Sequence, residues 1–239
     1  MNTIKISKSN TKLIAHRGAS ALETENTIAS FIAAGNRSYY GIETDVHKTK
    51  DGKYVVIHDD TTKRVCGVDF NVEETDFETL RAVTLFDING KEKRKDLFIP
   101  TLQEYISICK KYEKIAVLEL KNSFKSEDVA EIVKIIEDLK YLENTIFISF
   151  YFENLKVIRN LKKNQQIQFL TSEFNDEIFE KLIKYNCDLD IKCTSVTKDI
   201  VKKLHKNNLK VNCWTCDKET QAKKLIKLGV DFITTNILE

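Results

Sequence analysis

Eight short apolar strand candidates, each separated from the next by a stretch of helical period, predict an α/β fold of the TIM (β/α)8 class. Two further observations agree. The chain has 239 residues, close to the roughly 250 of an ordinary barrel. Its first strand-to-helix turn, Ala15-His16-Arg17-Gly18-Ala19-Ser20, is not the G-x-G-x-x-G that an open doubly wound sheet requires.

The strand candidates are Leu13–Arg17, Gly41–His47, Ile115–Leu120, Thr145–Phe150, Gln166–Leu170, Leu189–Cys193, Lys210–Thr215 and Asp231–Thr234. The clearest helical patterns between them are Ser126–Tyr141, Asn154–Lys163, Asp176–Tyr185, Thr197–Lys206 and Lys218–Leu228. In the first of these, Val129, Ile132, Val133, Ile135, Ile136 and Leu139 form one broad apolar stripe. Ser126 and Thr197 read as N-caps, and Gly229 as a helix stop. The sequence ends soon after the eighth strand, which predicts a reduced final helix. Between the second and third strands, Asp51-Gly52 marks a hairpin whose returning strand runs to His58. Residues 61–98 then read as a small insertion with a short helix near Asp76–Ala82, on the face that carries the βα loops. No linker is visible, so residues 1–239 are expected to form one domain.

Composition excludes several classes. Hydrophobic residues at 42% and charged residues at 31% exclude disorder, and seven Gly with one Pro exclude collagen-like or low-complexity sequence. The 38 basic and 36 acidic side chains leave net +2, no electrostatic basis for nucleic-acid binding. Six cysteines are too sparse for a disulfide framework, and Cys213-Trp-Thr-Cys216 has no second pair at zinc-site spacing. No apolar export segment or membrane span is evident, so a cytoplasmic chain without stable membrane association is expected. The sequence leaves the oligomeric state open.

In a barrel of this class the chemistry lies at the C-terminal strand ends. There stand His16-Arg17, Glu43-x-Asp45 and Glu119-x-Lys121. Strand residues two apart face the same side, so Glu43 and Asp45 project together, as do Glu119 and Lys121. Three converging carboxylates require either raised pKa values or a cation, and an all-oxygen ligand set favours Mg²⁺ or Ca²⁺. His16 and His58 each end an apolar run, and the hairpin returns His58 over the mouth. Two imidazoles there form a general acid and base pair. His47 shares the Glu43/Asp45 alternation but lies further up the hairpin and is a weaker candidate. Arg17 and Lys121 add positive charge that selects an anionic substrate, and phosphate fits.

The segments Leu13-Ile-Ala-His16-Arg17-Gly18, Thr24-Glu-Asn-Thr27, Glu43-Thr-Asp45-Val-His-Lys-Thr-Lys-Asp51-Gly52, His58-Asp59, Glu119-Leu-Lys121, Ser149-Phe150 and Cys213-Trp214-Thr215 resemble, in order, the glycerophosphodiester phosphodiesterases. That resemblance implies a TIM barrel with a segment inserted after its second strand. It implies divalent-metal-dependent hydrolysis of glycerophosphodiesters to sn-glycerol 3-phosphate and an alcohol. It also implies His16 and His58 as acid and base, Glu43, Asp45 and Glu119 as metal ligands, Arg17 and Lys121 as phosphate ligands, and Phe150 and Trp214 on the glycerol side. Thr24 stands where the family usually has Pro and is expected to cap the first helix instead. Phe232 stands at a common Gly position. A lysophospholipase D or sphingomyelinase D-like activity, or a non-catalytic phosphodiester-binding barrel, are the alternative readings.

Overall fold

The computed structural model describes residues 2–239. Its elements run β1 (Lys12–Ala15), α1 (Ile28–Gly35), β2 (Gly41–Lys48), β3 (Tyr54–Val56), α2 (Lys63–Cys66), α3 (Phe77–Arg81), α4 (Leu102–Lys111) and β4 (Ile115–Leu120). Then follow α5 (Ser126–Asp138), β5 (Thr145–Ser149), α6 (Phe152–Leu161), β6 (Ile167–Thr171), α7 (Asp176–Tyr185), β7 (Asp188–Lys192), α8 (Lys198–His205), β8 (Val211–Trp214), α9 (Glu219–Leu228) and β9 (Phe232–Thr235). Eight parallel strands close into a barrel because β1 pairs with both β2 and β9. The ninth, β3, is the expected hairpin return: it runs antiparallel to β2, with Val46 opposite Val56 and Lys48 opposite Tyr54. Gly52 turns that hairpin at φ +80°. No helix follows β9 among the described residues, as a reduced final helix predicts.

Alternation along each strand divides the apolar residues into two layers. Ile14, Val117, Ile146, Ile148, Leu170 and Phe232 fill the barrel interior. The opposite faces pack on the helices through residues such as Leu13, Ile42, Leu118, Phe147 and Leu189. The insertion holds α2, α3 and a cluster of its own, in which Val65, Leu80, Leu85 and Leu97 pack on Val55 and Ile57 of the hairpin. No helix among the described residues is long and apolar enough to cross a membrane.

Two capping expectations are corrected. Thr24 does not cap α1: Thr27 does, accepting from the Ser30 N–H in a reciprocal capping box, while the Thr24 hydroxyl donates to the Phe86 carbonyl at 2.9 Å. Ser30, three residues after Thr27, completes the box that Thr24 cannot. Ser126 is already helical; the cap position of α5 falls on Lys125, which offers no side-chain acceptor. Thr197 does cap α8, and Gly229 ends α9 at φ +90°.

Candidate active site

The turn after β1 is built by two consecutive left-handed residues, Arg17 at φ +53° and Gly18 at φ +79°. A Cβ on Gly18 would lie 2.7 Å from the Ser30 carbonyl carbon, so only glycine lets α1 approach this closely. The turn aims two main-chain donors at β2: the Arg17 N–H bonds Glu43 Oε2 at 2.8 Å, and the Gly18 N–H bonds the Glu43 carbonyl at 3.3 Å. Parallel pairing of β2 with β4 sets Asp45 beside Glu119. The result is one buried cluster in which carboxylate oxygens of Glu43, Asp45 and Glu119 lie within 4.8 Å of one another. The residues are 3%, 1% and 6% exposed, which leaves water little access to screen their mutual repulsion.

Positive charge approaches this cluster without satisfying it. Lys121 Nζ lies 3.3 Å from Glu119 Oε1 and 3.5 Å from Asp45 Oδ1, and Arg17 Nε lies 3.7 Å from Asp45 Oδ2. Asp45 Oδ1 and Glu119 Oε1 are nonetheless buried without a hydrogen-bond partner. Burial, then repulsion from Asp45, drives the Glu119 pKa up to about 8. Burial and the neighbouring Asp45 push Glu43 well above the carboxylate range. At Asp45 burial opposes ionisation, but Lys121 and Arg17 outweigh it and hold the carboxyl below its usual value. Two orphaned oxygens in an all-carboxylate set are the donors that a hard divalent cation takes, so the residues fit such an ion.

The histidines flank this cluster and are oriented differently. His16 Nδ1 sits 2.8 Å from Asn236 Oδ1, and Asn236 in turn donates its side-chain amide to Asp217 Oδ2 at 2.6 Å and its main-chain N–H to Asp217 Oδ1 at 2.7 Å. Asp217 thereby fixes the amide orientation, which assigns the proton of neutral His16 to Nδ1. Its Nε2 then faces Glu43 Oε2 at 4.0 Å. Burial, then Arg17, lowers the His16 pKa to about 4. His58 Nδ1 lies 2.7 Å from Asp59 Oδ1, and burial likewise lowers its pKa. Arg64 grips Asp59 (2.6 and 3.0 Å) and Glu25 (2.9 and 2.8 Å) with two bonds each. Glu25 accepts in turn from Arg17 at 2.8 Å. Arg17 and His58 are therefore linked through Glu25, Arg64 and Asp59.

These residues border one cavity of about 120 Å³. His16, Arg17, Glu43, His58, Glu119 and Lys121 line it on one side; Ile148, Phe150, Leu170, Asp190, Trp214 and Thr234 line the other. Phe150 and Trp214 meet edge to face at 5.5 Å, and the Trp214 indole donates to the Asp190 carbonyl at 3.3 Å. Larger grooves of about 840 and 690 Å³ lie elsewhere and contain none of these groups. All nine residues singled out from the sequence thus fall in or beside one pocket. His47 does not join them: it is fully buried, with Nδ1 3.6 Å from Glu73 and Nε2 3.4 Å from the His58 carbonyl. Cys213 and Cys216 are buried free thiols. The supporting residues Arg64, Asp217, Asn236 and Asp190 were not singled out from sequence. Glu25 and Asp59 fell inside quoted motifs without an assigned role.

A model of the glycerophosphoryl diester phosphodiesterase family matches residues 16–239, and the chain belongs to that family. It is accordingly a phosphoric diester hydrolase. The chain is 30% identical over 229 residues to a glycerophosphodiester phosphodiesterase of Caldanaerobacter subterraneus subsp. tengcongensis, covering 95% of this chain and 94% of that one. Among solved structures, an Oleispira antarctica phosphodiesterase in complex with the product sn-glycerol-3-phosphate superposes with a TM-score of 0.87 at 28% identity, over 94% of this chain and 92% of the other. A glycerophosphodiester phosphodiesterase from Parabacteroides distasonis gives 0.79 at 28% identity, over 96% and 94%.

Proposed function

We propose that residues 1–239 act as one catalytic domain, with 61–98 as its insertion, that hydrolyses glycerophosphodiesters to sn-glycerol 3-phosphate and an alcohol with the aid of a divalent cation. The observation that carries this reading is the buried carboxylate trio with two unpartnered oxygens, set between two histidines and two cationic side chains. The product held by the Oleispira relative supports the substrate class.

Glu43, Asp45 and Glu119 would hold Mg²⁺ or Ca²⁺, which when bound polarises the phosphate and neutralises developing charge. Arg17 and Lys121 bind and orient the phosphate, Arg17 pre-aimed by Glu25. One histidine takes the proton of the nucleophile as its bond to phosphorus forms. The other returns a proton to the departing alcohol oxygen as the P–O bond breaks, so water is consumed and protons balance. Asn236 keeps His16 in one ring orientation and Asp59 does the same for His58. Phe150 and Trp214 pack on the carbon skeleton of the glycerol. A positioned acid or base supplies only about 10²–10⁴-fold. Enzymes lower barriers by roughly 8–23 kcal/mol, so the charged groups around the phosphate carry much of the remainder.

Glycerol 3-phosphate release from glycerophosphocholine, measured with Mg²⁺ or Ca²⁺ and again with excess EDTA, tests the reading. Turnover that the chelator abolishes and either cation restores is expected. No turnover in any arm, or turnover confined to lysophosphatidylcholine, would reject it.

A further inference from the structure

A second polar group lies inside the barrel, on the side of the cavity facing away from the two cations. Gln168 on β6, Asp190 on β7, Asn212 on β8 and Thr234 on β9 are each no more than 3% exposed. Thr234 Oγ1 donates to Asn212 Oδ1 at 3.3 Å, and Asn212 Nδ2 donates to Gln168 Oε1 at 3.0 Å and to Asp190 Oδ2 at 3.1 Å. That network commits Asn212 fully and fixes both amide orientations. It leaves Asp190 Oδ1 and Gln168 Nε2 with no partner in the protein. An unsatisfied buried polar atom costs about 1–3 kcal/mol. Asp190 lines the cavity together with Ile148 and Leu170. Packing alone would favour an aliphatic residue at such a position.

No lysine, arginine or histidine pairs with Asp190 among the described residues, and it lies outside the carboxylate trio able to share an ion. Burial, then Glu119, pushes its carboxyl well above the usual range. Asn212 takes Oδ2, so Oδ1 is the carboxyl atom left to meet a ligand. The complement of this wall is a short carbon skeleton bearing a hydroxyl. Ile148, Leu170 and Trp214 meet the carbons, while a hydroxyl satisfies the carboxyl. Phosphate, drawn to Arg17 and Lys121 after β1 and β4, would lie across the barrel from β7.

We propose that Asp190 is a specificity-determining residue whose Oδ1 hydrogen-bonds a hydroxyl of the substrate's polyol moiety, so that the barrel interior selects hydroxylated phosphodiesters over plain alkyl or aryl ones. This rests on reading the site as a glycerophosphodiester hydrolase. A site built to hydrogen-bond a hydroxyl discriminates strongly against analogues that lack it, because its own polar group is then left unpaired.

The test compares kcat/KM for glycerophosphocholine and for bis(p-nitrophenyl) phosphate, which has no aliphatic hydroxyl. Asp190→Leu is expected to lose about 10–100-fold on glycerophosphocholine. On the aryl diester the loss should be several-fold smaller, and turnover there also shows that the variant is folded. Asp190→Ala adds no bulk and carries the same test if the leucine variant fails to fold. Asp190→Asn keeps a neutral hydrogen-bonding group of the same shape and should retain most of the wild-type preference. Parallel losses on both substrates, or an undiminished rate on glycerophosphocholine in the Leu and Ala variants, overturn the proposal. A wild-type enzyme that releases no glycerol phosphate rejects the underlying functional reading, whereas an active wild type with unselective variants rejects this inference alone.

Discussion

His16 and His58 occupy equivalent places on either side of the carboxylates but lean on different partners, an amide anchored by Asp217 and a carboxylate anchored by Arg64. Each holds its ring through Nδ1, which leaves Nε2 as the free ring nitrogen. His16→Ala and His58→Ala should each lower kcat by about 10²–10⁴-fold. Binding of Mg²⁺ or Ca²⁺, followed by calorimetry, should persist, since neither ring belongs to the ligand trio. A variant with near-normal turnover would remove that histidine from the proton-transfer role. At Gly18 both conformation and space forbid a side chain, for the residue is left-handed and Ser30 backbone lies against its missing Cβ. Gly18→Ala should cost about 1–3 kcal/mol. In a chain of this size that lowers the melting midpoint by roughly 2–4 °C per kcal/mol, readable by calorimetry.

Elements explain why some of this was legible in the sequence and some was not. Barrel strands announce themselves as short β-branched runs, and alternation alone places Glu43 with Asp45, because neighbours two apart on a strand share a face. Capping is less legible. Thr24 and Thr27 are both polar residues ahead of α1, and only the reciprocal bond with Ser30 decides between them. Least legible are contacts between loops: Asn236 reaches His16 across 220 positions, and Arg64 reaches Glu25 across 39. No periodicity encodes such pairs. Asp190 was hidden for a different reason, since a carboxyl at an inward position of a parallel strand contradicts the apolar pattern that identifies the strand. The insertion illustrates the functional weight of a short element. Helix α2 is four residues long, yet its Arg64 braces both Asp59 behind His58 and Glu25 behind Arg17. Small displacements of catalytic groups are costly, of order 10²-fold per ångström. Arg64→Ala should therefore reduce kcat/KM by about 10–100-fold while the circular dichroism spectrum stays native. Asp59→Asn should act mainly on kcat and Glu25→Gln mainly on KM. Arg64→Ala kinetics indistinguishable from wild type would show that His58 and Arg17 need no brace from the insertion.

For the whole molecule, the carboxylate trio makes stability, cation binding and pH one problem. In the cation-free chain Glu119 titrates near 8, against about 4.3 for an ordinary glutamate. Between those values the folded state holds a proton that the unfolded state has lost. Stability therefore falls as pH rises through this range and levels off above about 8. Glu43, raised by burial and the same neighbours, acts in the same direction. His16 acts in the opposite direction, but only between about 4 and its ordinary value near 6.5. Above pH 6.5 the histidines no longer contribute, but the buried thiols, their pKa raised by burial, add to the carboxylate trend as pH nears 8.5. A variant at Glu119 is therefore needed to separate the two. A divalent cation requires them ionised and competes with their protons, so its affinity should grow across that interval. Ligand that binds only the folded state stabilises it in proportion to the logarithm of its saturation. The melting midpoint of EDTA-treated protein should consequently fall from pH 6.5 to 8.5, while the gain on adding Mg²⁺ or Ca²⁺ widens. Glu119→Gln, which cannot ionise at that position, should flatten both trends. A cation-induced shift that is constant with pH would mean that the trio is not where the ion binds.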